Sequence, residues 1–316
     1  MIGILGSGFG LYGYLPAVAR HTGKSVALPK RYIEKFNSRK ELADFAGSIQ
    51  WVEDETALLQ TCDTVILSLF PAQQEVLIRQ CLSYSNITNL VLEKPLAVSP
   101  ALSKELLSML MEAKKNIRIG YTFQYTGWAT DLFNSINSGK ANKVTINWLF
   151  RAHHYKNALS NWKRFHSDGG SVIRFYGIHC IALAAQLGYK RVVLSKSTGL
   201  GDNDIFSWVV TFSGDALPAL EIEIDSNAIE KKFKVCMFGE TFSQQPYYTF
   251  QQDDPFTEIA NSEFESIDPR VGLLTQVIQS LFENTDSQSF YELYANCNEL
   301  WERVENINSN SIVSLP

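Results

Sequence analysis

Several groups of residues in this 316-residue chain have types and spacings that could do chemistry. The first is rich in glycine. The chain opens Met1-Ile-Gly-Ile-Leu-Gly6-Ser7-Gly8-Phe9-Gly10-Leu11-Tyr-Gly13. An apolar run followed at once by closely spaced glycines and a helical pattern is a dinucleotide-binding turn. Gly6 permits the tight turn, and Gly8 lets the backbone approach a pyrophosphate. The helix start offers N–H groups and the positive end of its dipole. The third glycine of the pattern would fall at Leu11, whereas Gly10 comes one residue early and Gly13 two late. Residues Gly6 to Leu11 are therefore cofactor candidates. Val26-Ala-Leu-Pro-Lys30-Arg31-Tyr32 ends the second apolar run with no acid before Glu34. An acid there would bind a ribose 2′-hydroxyl, but Lys30 and Arg31 could pair with a 2′-phosphate, Arg31 by its planar fork. That points to NADP(H), with NAD(H) as the alternative.

Two later segments carry groups able to move protons or hold a substrate: Leu92-Glu93-Lys94-Pro95-Leu96-Ala97 and Gly169-Gly170-Ser-Val-Ile-Arg174-Phe175-Tyr176-Gly177-Ile-His179. A lysine partly removed from water beside a positive ring has its pKa lowered and can act as acid, base or donor. Pro95 disfavours a helical Lys94 and keeps it extended at a strand tip. Gly120-Tyr121-Thr-Phe-Gln124-Tyr125 offers Tyr121, Gln124 and Tyr125 to a substrate. His153, His154 and Tyr155, followed by Asn161-Trp162-Lys163-Arg164, set rings beside cations, which suits sugar stacking and phosphate binding. Adjacent strand residues point to opposite faces, so His153 and His154 cannot easily share a metal, and no metal is expected.

The elements that must position these groups follow from patterning. The first half alternates strand and helix: Met1–Leu5, a helix over Leu11–Arg20, Ser25–Leu28, Ile49–Val52, the continuous apolar run Thr64–Phe70, a helix over Glu75–Leu82, Asn89–Leu92, a helix over Ser99–Lys115, and Ile117–Phe123. That repetition predicts a parallel sheet with right-handed crossovers. Ser68, Leu69 and Phe70 end its central strand, where such sheets bind ligands. From Lys143 the strands alternate strictly. Val144, Ile146, Trp148 and Phe150 oppose Thr145, Asn147 and Arg151, and Leu220, Ile222 and Ile224 oppose Glu221, Glu223 and Asp225. This predicts an antiparallel sheet covered on one face, with the acidic row able to lie opposite Lys232 and Lys234. Helices over Val172–Leu187, Val271–Phe282 and Phe290–Val304 supply the cover. The expectation is a doubly wound Rossmann domain over 1–123 and an α+β domain with an open, mostly antiparallel sheet over 124–316.

Composition narrows the function classes. The 28 Lys plus Arg against 33 Asp plus Glu give a net charge of −5, against broad nucleic-acid binding. With 45% hydrophobic and 19% charged residues the chain should fold. No apolar run approaches the ~20 residues of a membrane span. Five scattered cysteines without a Cys-x-x-Cys read as thiols in a reducing cytoplasm.

The glycine turn, Leu15-Pro16-Ala17, Glu93-Lys94-Pro95 and the segment ending at His179 together resemble the glucose–fructose oxidoreductase / inositol dehydrogenase (Gfo/Idh/MocA) family over essentially the whole chain. The resemblance implies hydride transfer to or from a hydroxyl or ketone of a sugar, cyclitol or nucleotide-sugar, using NAD(P). It implies Lys94 and His179 beside the nicotinamide, Glu93 with the cofactor, and a homodimer or homotetramer joined through the open sheet. One departure matters: the family aspartate four residues before the histidine is Phe175 here. Lys94 is then the expected proton group, with His179 positioning substrate. Tyr176 could donate a proton, and Arg174 could hold a phosphate or carboxylate of the substrate. Imine or dihydrodiol redox chemistry on the same fold, or a non-catalytic dinucleotide sensor, are the alternatives.

Overall fold

A computed structural model describes residues 1–22, 25–239, 245–256, 267–283 and 286–313. The chain divides into two compact units; it first passes from one to the other between Ala97 and Val98, returns after Ser103, and crosses again between Thr122 and Phe123.

Unit 1 holds six parallel strands: β1 (Ile2–Leu5), β2 (Val26–Pro29), β3 (Ile49–Val52), β4 (Thr64–Leu67), β5 (Asn89–Leu92) and β6 (Asn116–Ile119). Their spatial order is β3-β2-β1-β4-β5-β6. The strand order reverses between β1 and β4, which is where doubly wound sheets bind ligands. Every residue of β1, β2 and β4 is buried, the reason these strands read as continuous apolar runs. The crossover helices are α1 (Leu15–Thr22), α2 (Ile33–Asn37), α3 (Glu55–Thr61), α4 (Pro71–Leu82) and α5 (Pro100–Glu112), whose first residues group with unit 2. β4 stops at Leu67, three residues short of the expected end, and Ser68–Phe70 form the loop that leads to Pro71 at the start of α4. Proline suits that first turn because its missing N–H would have no intrahelical partner. A helix at Val271–Glu283, expected in the second domain, packs against α1 and β6 and belongs to unit 1.

Unit 2 is built on a seven-stranded sheet of β7 (Lys143–Arg151), β8 (Arg191–Gly201), β9 (Asp204–Ser213), β10 (Ala219–Asp225), β11 (Asn227–Phe238), β12 (Tyr248–Gln252) and β13 (Ser309–Ile312). The order is β12-β11-β7-β10-β9-β8-β13, mostly antiparallel, with β10 on β7 and β13 on β8 parallel. Val144, Ile146, Trp148, Leu220, Ile222 and Ile224 are buried, as the alternation requires. The acidic row does not meet Lys232 and Lys234, because β7 lies between β10 and β11; Glu221 pairs instead with Lys143 at 2.8 Å. The remaining helices are α6 (Gly127–Asn137), α7 (His153–Lys156), α8 (Ile178–Gln186), α9 (the Val271–Glu283 helix of unit 1) and α10 (Ser287–Ile307). His153 and His154 sit on α7, not at a strand end; His154 is buried and His153 exposed.

Candidate active site

In unit 1 the glycine turn is built against the end of β4. Gly6 has φ +136°, and a Cβ there would lie 2.1 Å from the Ser68 carbonyl oxygen, so glycine is required twice over. A Cβ on Gly8 would meet nothing within 4 Å, which leaves open space at the turn. Gly10 sits close to the sheet, where a Cβ would be 3.1 Å from Ile4 Cγ2. It therefore fills the close-packing role expected one residue later, while Leu11 is fully buried and gives its N–H to Gly8 O at 2.9 Å. The helix opens as a π-turn over Gly10–Tyr14 before α1. Tyr32 Oη accepts the Gly6 N–H at 3.0 Å and braces the turn from the end of β2.

The buried Ser68 Oγ lies beside this turn with no partner. It is also 4.0 Å from the position of a Gly10 Cβ. The Thr122 hydroxyl, just past β6, is likewise buried and unpartnered. An orphan hydroxyl at a strand end beside such a cradle, as Ser68 Oγ is, fits a polar ligand such as a dinucleotide. Lys30 pairs with Glu53 and Arg31 with Glu55, all on the surface, so the two cations are already partly balanced. Arg31 and Glu55 also line a pocket with Leu69, Phe70 and Gln73.

Lys94 is 9% exposed at the end of β5, and its bond to Pro95 is cis. The segment is held by Gln74, a fully buried side chain of α4 that sequence reasoning passed over. Gln74 Oε1 accepts the Glu93 N–H at 2.8 Å, and its Nε2 donates to Glu93 O at 2.8 Å, Leu96 O at 3.1 Å and Pro95 O at 3.4 Å. One amide thus grips the backbone on both sides of Lys94. The signal was present: a glutamine stands in the buried stripe Pro71, Gln74, Leu77, Ile78, Cys81. Glu93 accepts from Tyr14 Oη at 2.7 Å. Burial raises the Glu93 carboxyl, against the opposing pull of Lys94, Tyr14 and Arg270. Arg270, also missed, lies 4.1 Å over the Phe9 ring and is held by Asp268. Tyr121 is buried beyond the last strand.

In unit 2, His179 is 4% exposed at the start of α8, which continues a π-turn over Val172–Gly177. Its ring stacks on Phe123 at 4.9 Å. Phe175 packs on Trp162 (5.2 Å, perpendicular), Tyr176 (4.8 Å) and the Lys163 ammonium (5.1 Å). Tyr176 also packs on Phe150 and Trp148. Gln124 is partly buried with its Nε2 unpartnered, and Tyr125 is half-buried.

Arg174 does not present its guanidinium to a ligand. It grips Glu305 through two bonds of 2.7 Å and donates to the carbonyls of His166 and Val98. Trp301 Nε1 also donates to Glu305, and His166 Nδ1 meets Ser171 Oγ at 3.0 Å. A buried arginine with all three guanidinium nitrogens engaged is a structural clamp. Arg164 is similarly held by Asp204, which also accepts from Tyr155 Oη at 2.7 Å. Burial, helped by Lys163 and Arg164, pushes the His154 imidazole down to about 4.

No protein-family model matches the sequence, and no curated protein matches it. Solved structures do match over the whole length. KijD10, a 3-ketoreductase from Actinomadura kijaniata in complex with NADP and TDP-benzene, is 13% identical, with a TM-score of 0.71 over 99% of each chain. A myo-inositol dehydrogenase from Corynebacterium glutamicum is 14% identical, with a TM-score of 0.69 over 97% of this chain and 96% of that one. A super-repressor mutant of Gal80p from Saccharomyces cerevisiae is 12% identical, with a TM-score of 0.72 over 96% and 94%. This chain has the fold of the Gfo/Idh/MocA-type oxidoreductases.

Proposed function

We propose that this protein is a nicotinamide-dinucleotide-dependent oxidoreductase acting on a hydroxyl or ketone of a sugar-like substrate. The observation that carries the proposal lies within unit 1: a nearly buried lysine, fixed by a buried amide, at the same strand ends as the open glycine turn and an orphan hydroxyl. Gly6, Ser7, Gly8, Phe9 and Gly10 would hold the diphosphate, and Ser68 and Thr122 would supply polar contacts. Lys30 and Arg31 would take a 2′-phosphate by exchanging surface partners, which costs little because exposed ion pairs are weak. NADP(H) is therefore the proposed cofactor, consistent with the ligand named for KijD10.

The bound cofactor would supply or accept the hydride. Lys94 Nζ would hold the proton that joins or leaves the substrate oxygen. Glu93, anchored by Tyr14, would keep a carboxylate next to that ammonium. His179 and Tyr176 are the proposed substrate-binding groups of unit 2. Thermal-shift titration tests the cofactor half: NADPH should raise the melting temperature more than NADH. Lys94→Met should keep that shift and lose turnover. A protein indifferent to both dinucleotides would end this reading.

A further inference from the structure

We propose that a pocket on unit 2, framed by Trp148, Phe150, Arg151, Lys156, Ile229 and Lys231, binds the nucleoside diphosphate portion of a nucleotide-sugar. The pocket measures about 390 Å³ and is completed by Asp254. A break in the sheet makes it. β11 pairs Asn227 with Arg151 and then Lys232 with Leu149, so residues 228–231 stand opposite Phe150 alone. Such a bulge turns side chains away from the ladder and re-aims them. Here it lifts Ile229 to 96% exposure, the most exposed large apolar side chain among the described residues.

The lining suits one ligand chemistry. Phe150 offers a half-open ring, backed by the nearly covered Trp148 stacked 4.9 Å behind it. A flat base can lie on that ring with Ile229 beside it. Arg151 and Lys156 form no ion pair among the described residues, whereas Lys231 is shared with Asp254 at 3.6 Å and Asp253 at 3.9 Å. Two uncommitted cations next to an aromatic shelf match a diphosphate attached to a base, and a bare sugar would leave them unused. Tyr176 packs its edge on both Phe150 (4.8 Å) and Trp148 (5.6 Å), so the pocket adjoins the turn that leads to His179. That direction gives the sugar end of the ligand to the proposed substrate groups, and in this respect alone the inference rests on the oxidoreductase reading.

The test is calorimetric titration of UDP and dTDP into the protein, alone and saturated with NADPH, with uridine and inorganic pyrophosphate as controls. At least one nucleotide should bind with NADPH in place, more tightly than either control. Phe150→Ala and Lys156→Glu should each weaken it about tenfold or more without altering NADPH affinity. Three results overturn the proposal: no nucleotide binding at millimolar concentration, displacement of the nucleotide by NADPH, or binding unchanged in both variants. Failure of NADPH to bind would instead sink the oxidoreductase reading, and the titration of the protein alone would still decide this one.

Discussion

Gln74→Met tests whether one amide holds the Lys94 segment. The replacement conserves volume, so packing in α4 changes little. The Glu93 N–H keeps an acceptor, because it also lies 3.1 Å from Leu67 O. The carbonyls of Glu93 and Leu96 lose their donor. Two under-satisfied carbonyls at ~1–1.5 kcal/mol each cost about 2–3 kcal/mol. A factor of ten per 1.4 kcal/mol turns this into roughly 30- to 140-fold faster local opening. Hydrogen exchange read by mass spectrometry on a peptide spanning Glu93–Ala97 measures it directly, with a β7 peptide as reference. Exchange should quicken at Glu93–Ala97 and hardly at all in β7. Equal exchange in the variant and the parent would refute the clamp, whatever happened to the melting temperature.

Other outcomes follow from particular contacts. Gly8→Ala should fold normally and bind dinucleotide weakly, because its Cβ enters open space, whereas Gly6→Ala should lose on the order of 3 kcal/mol of stability by striking the Ser68 carbonyl at positive φ; denaturant curves and NADPH titration separate the two. Arg174→Met should cost about 3–5 kcal/mol by stranding the Glu305 carboxylate, and should leave NADPH affinity unaltered. Burial holds the His154 and His166 imidazoles at about 4, Arg174 adding to the shift at His166. The unfolded chain then takes up protons first, so these groups remove stability as pH falls from about 6.5 towards 4 and contribute no slope above 7. Urea midpoints at pH 7, 6 and 5 should show the decline, and His166→Asn should flatten it.

The sequence displayed what local pattern encodes. Continuous apolar runs marked β1 and β4 because both faces of each are covered. Alternation marked β7 and β10 because one face is not. The glycine turn was legible since Gly6 and Gly10 answer local steric demands, while Gly8 leaves open space at the turn. Strand order was not legible: β10 on β7 is a parallel pairing whose partners are separated by two other strands in sequence, and it moved the acidic row away from Lys232 and Lys234. The partner of Arg174 lies 131 residues away, beyond any spacing argument. The β11 bulge left no mark either, as Ile229, Glu230 and Lys231 read like an ordinary strand.

Charge shows why side-chain partners, more than residue type, decide a site. Read along the chain, Lys30, Arg31, Lys163, Arg164 and Arg174 each qualified as a partner for a phosphate. In the fold most of them have acidic partners, and exposure separates the partnerships. Arg174 with Glu305 and Arg164 with Asp204 are largely shielded, so drawing either arginine to a ligand would strand a carboxylate. Lys30 with Glu53 and Arg31 with Glu55 stand in water and can exchange glutamate for phosphate at little cost. Arg151 and Lys156, which no motif singled out as ligand groups, make no ion pair among the described residues and flank an open ring. An anion therefore gains most at the surface pairs of unit 1 and at the bulge pocket of unit 2. A phosphate-bearing ligand of unit 2 should be sought at Lys156 before Arg174.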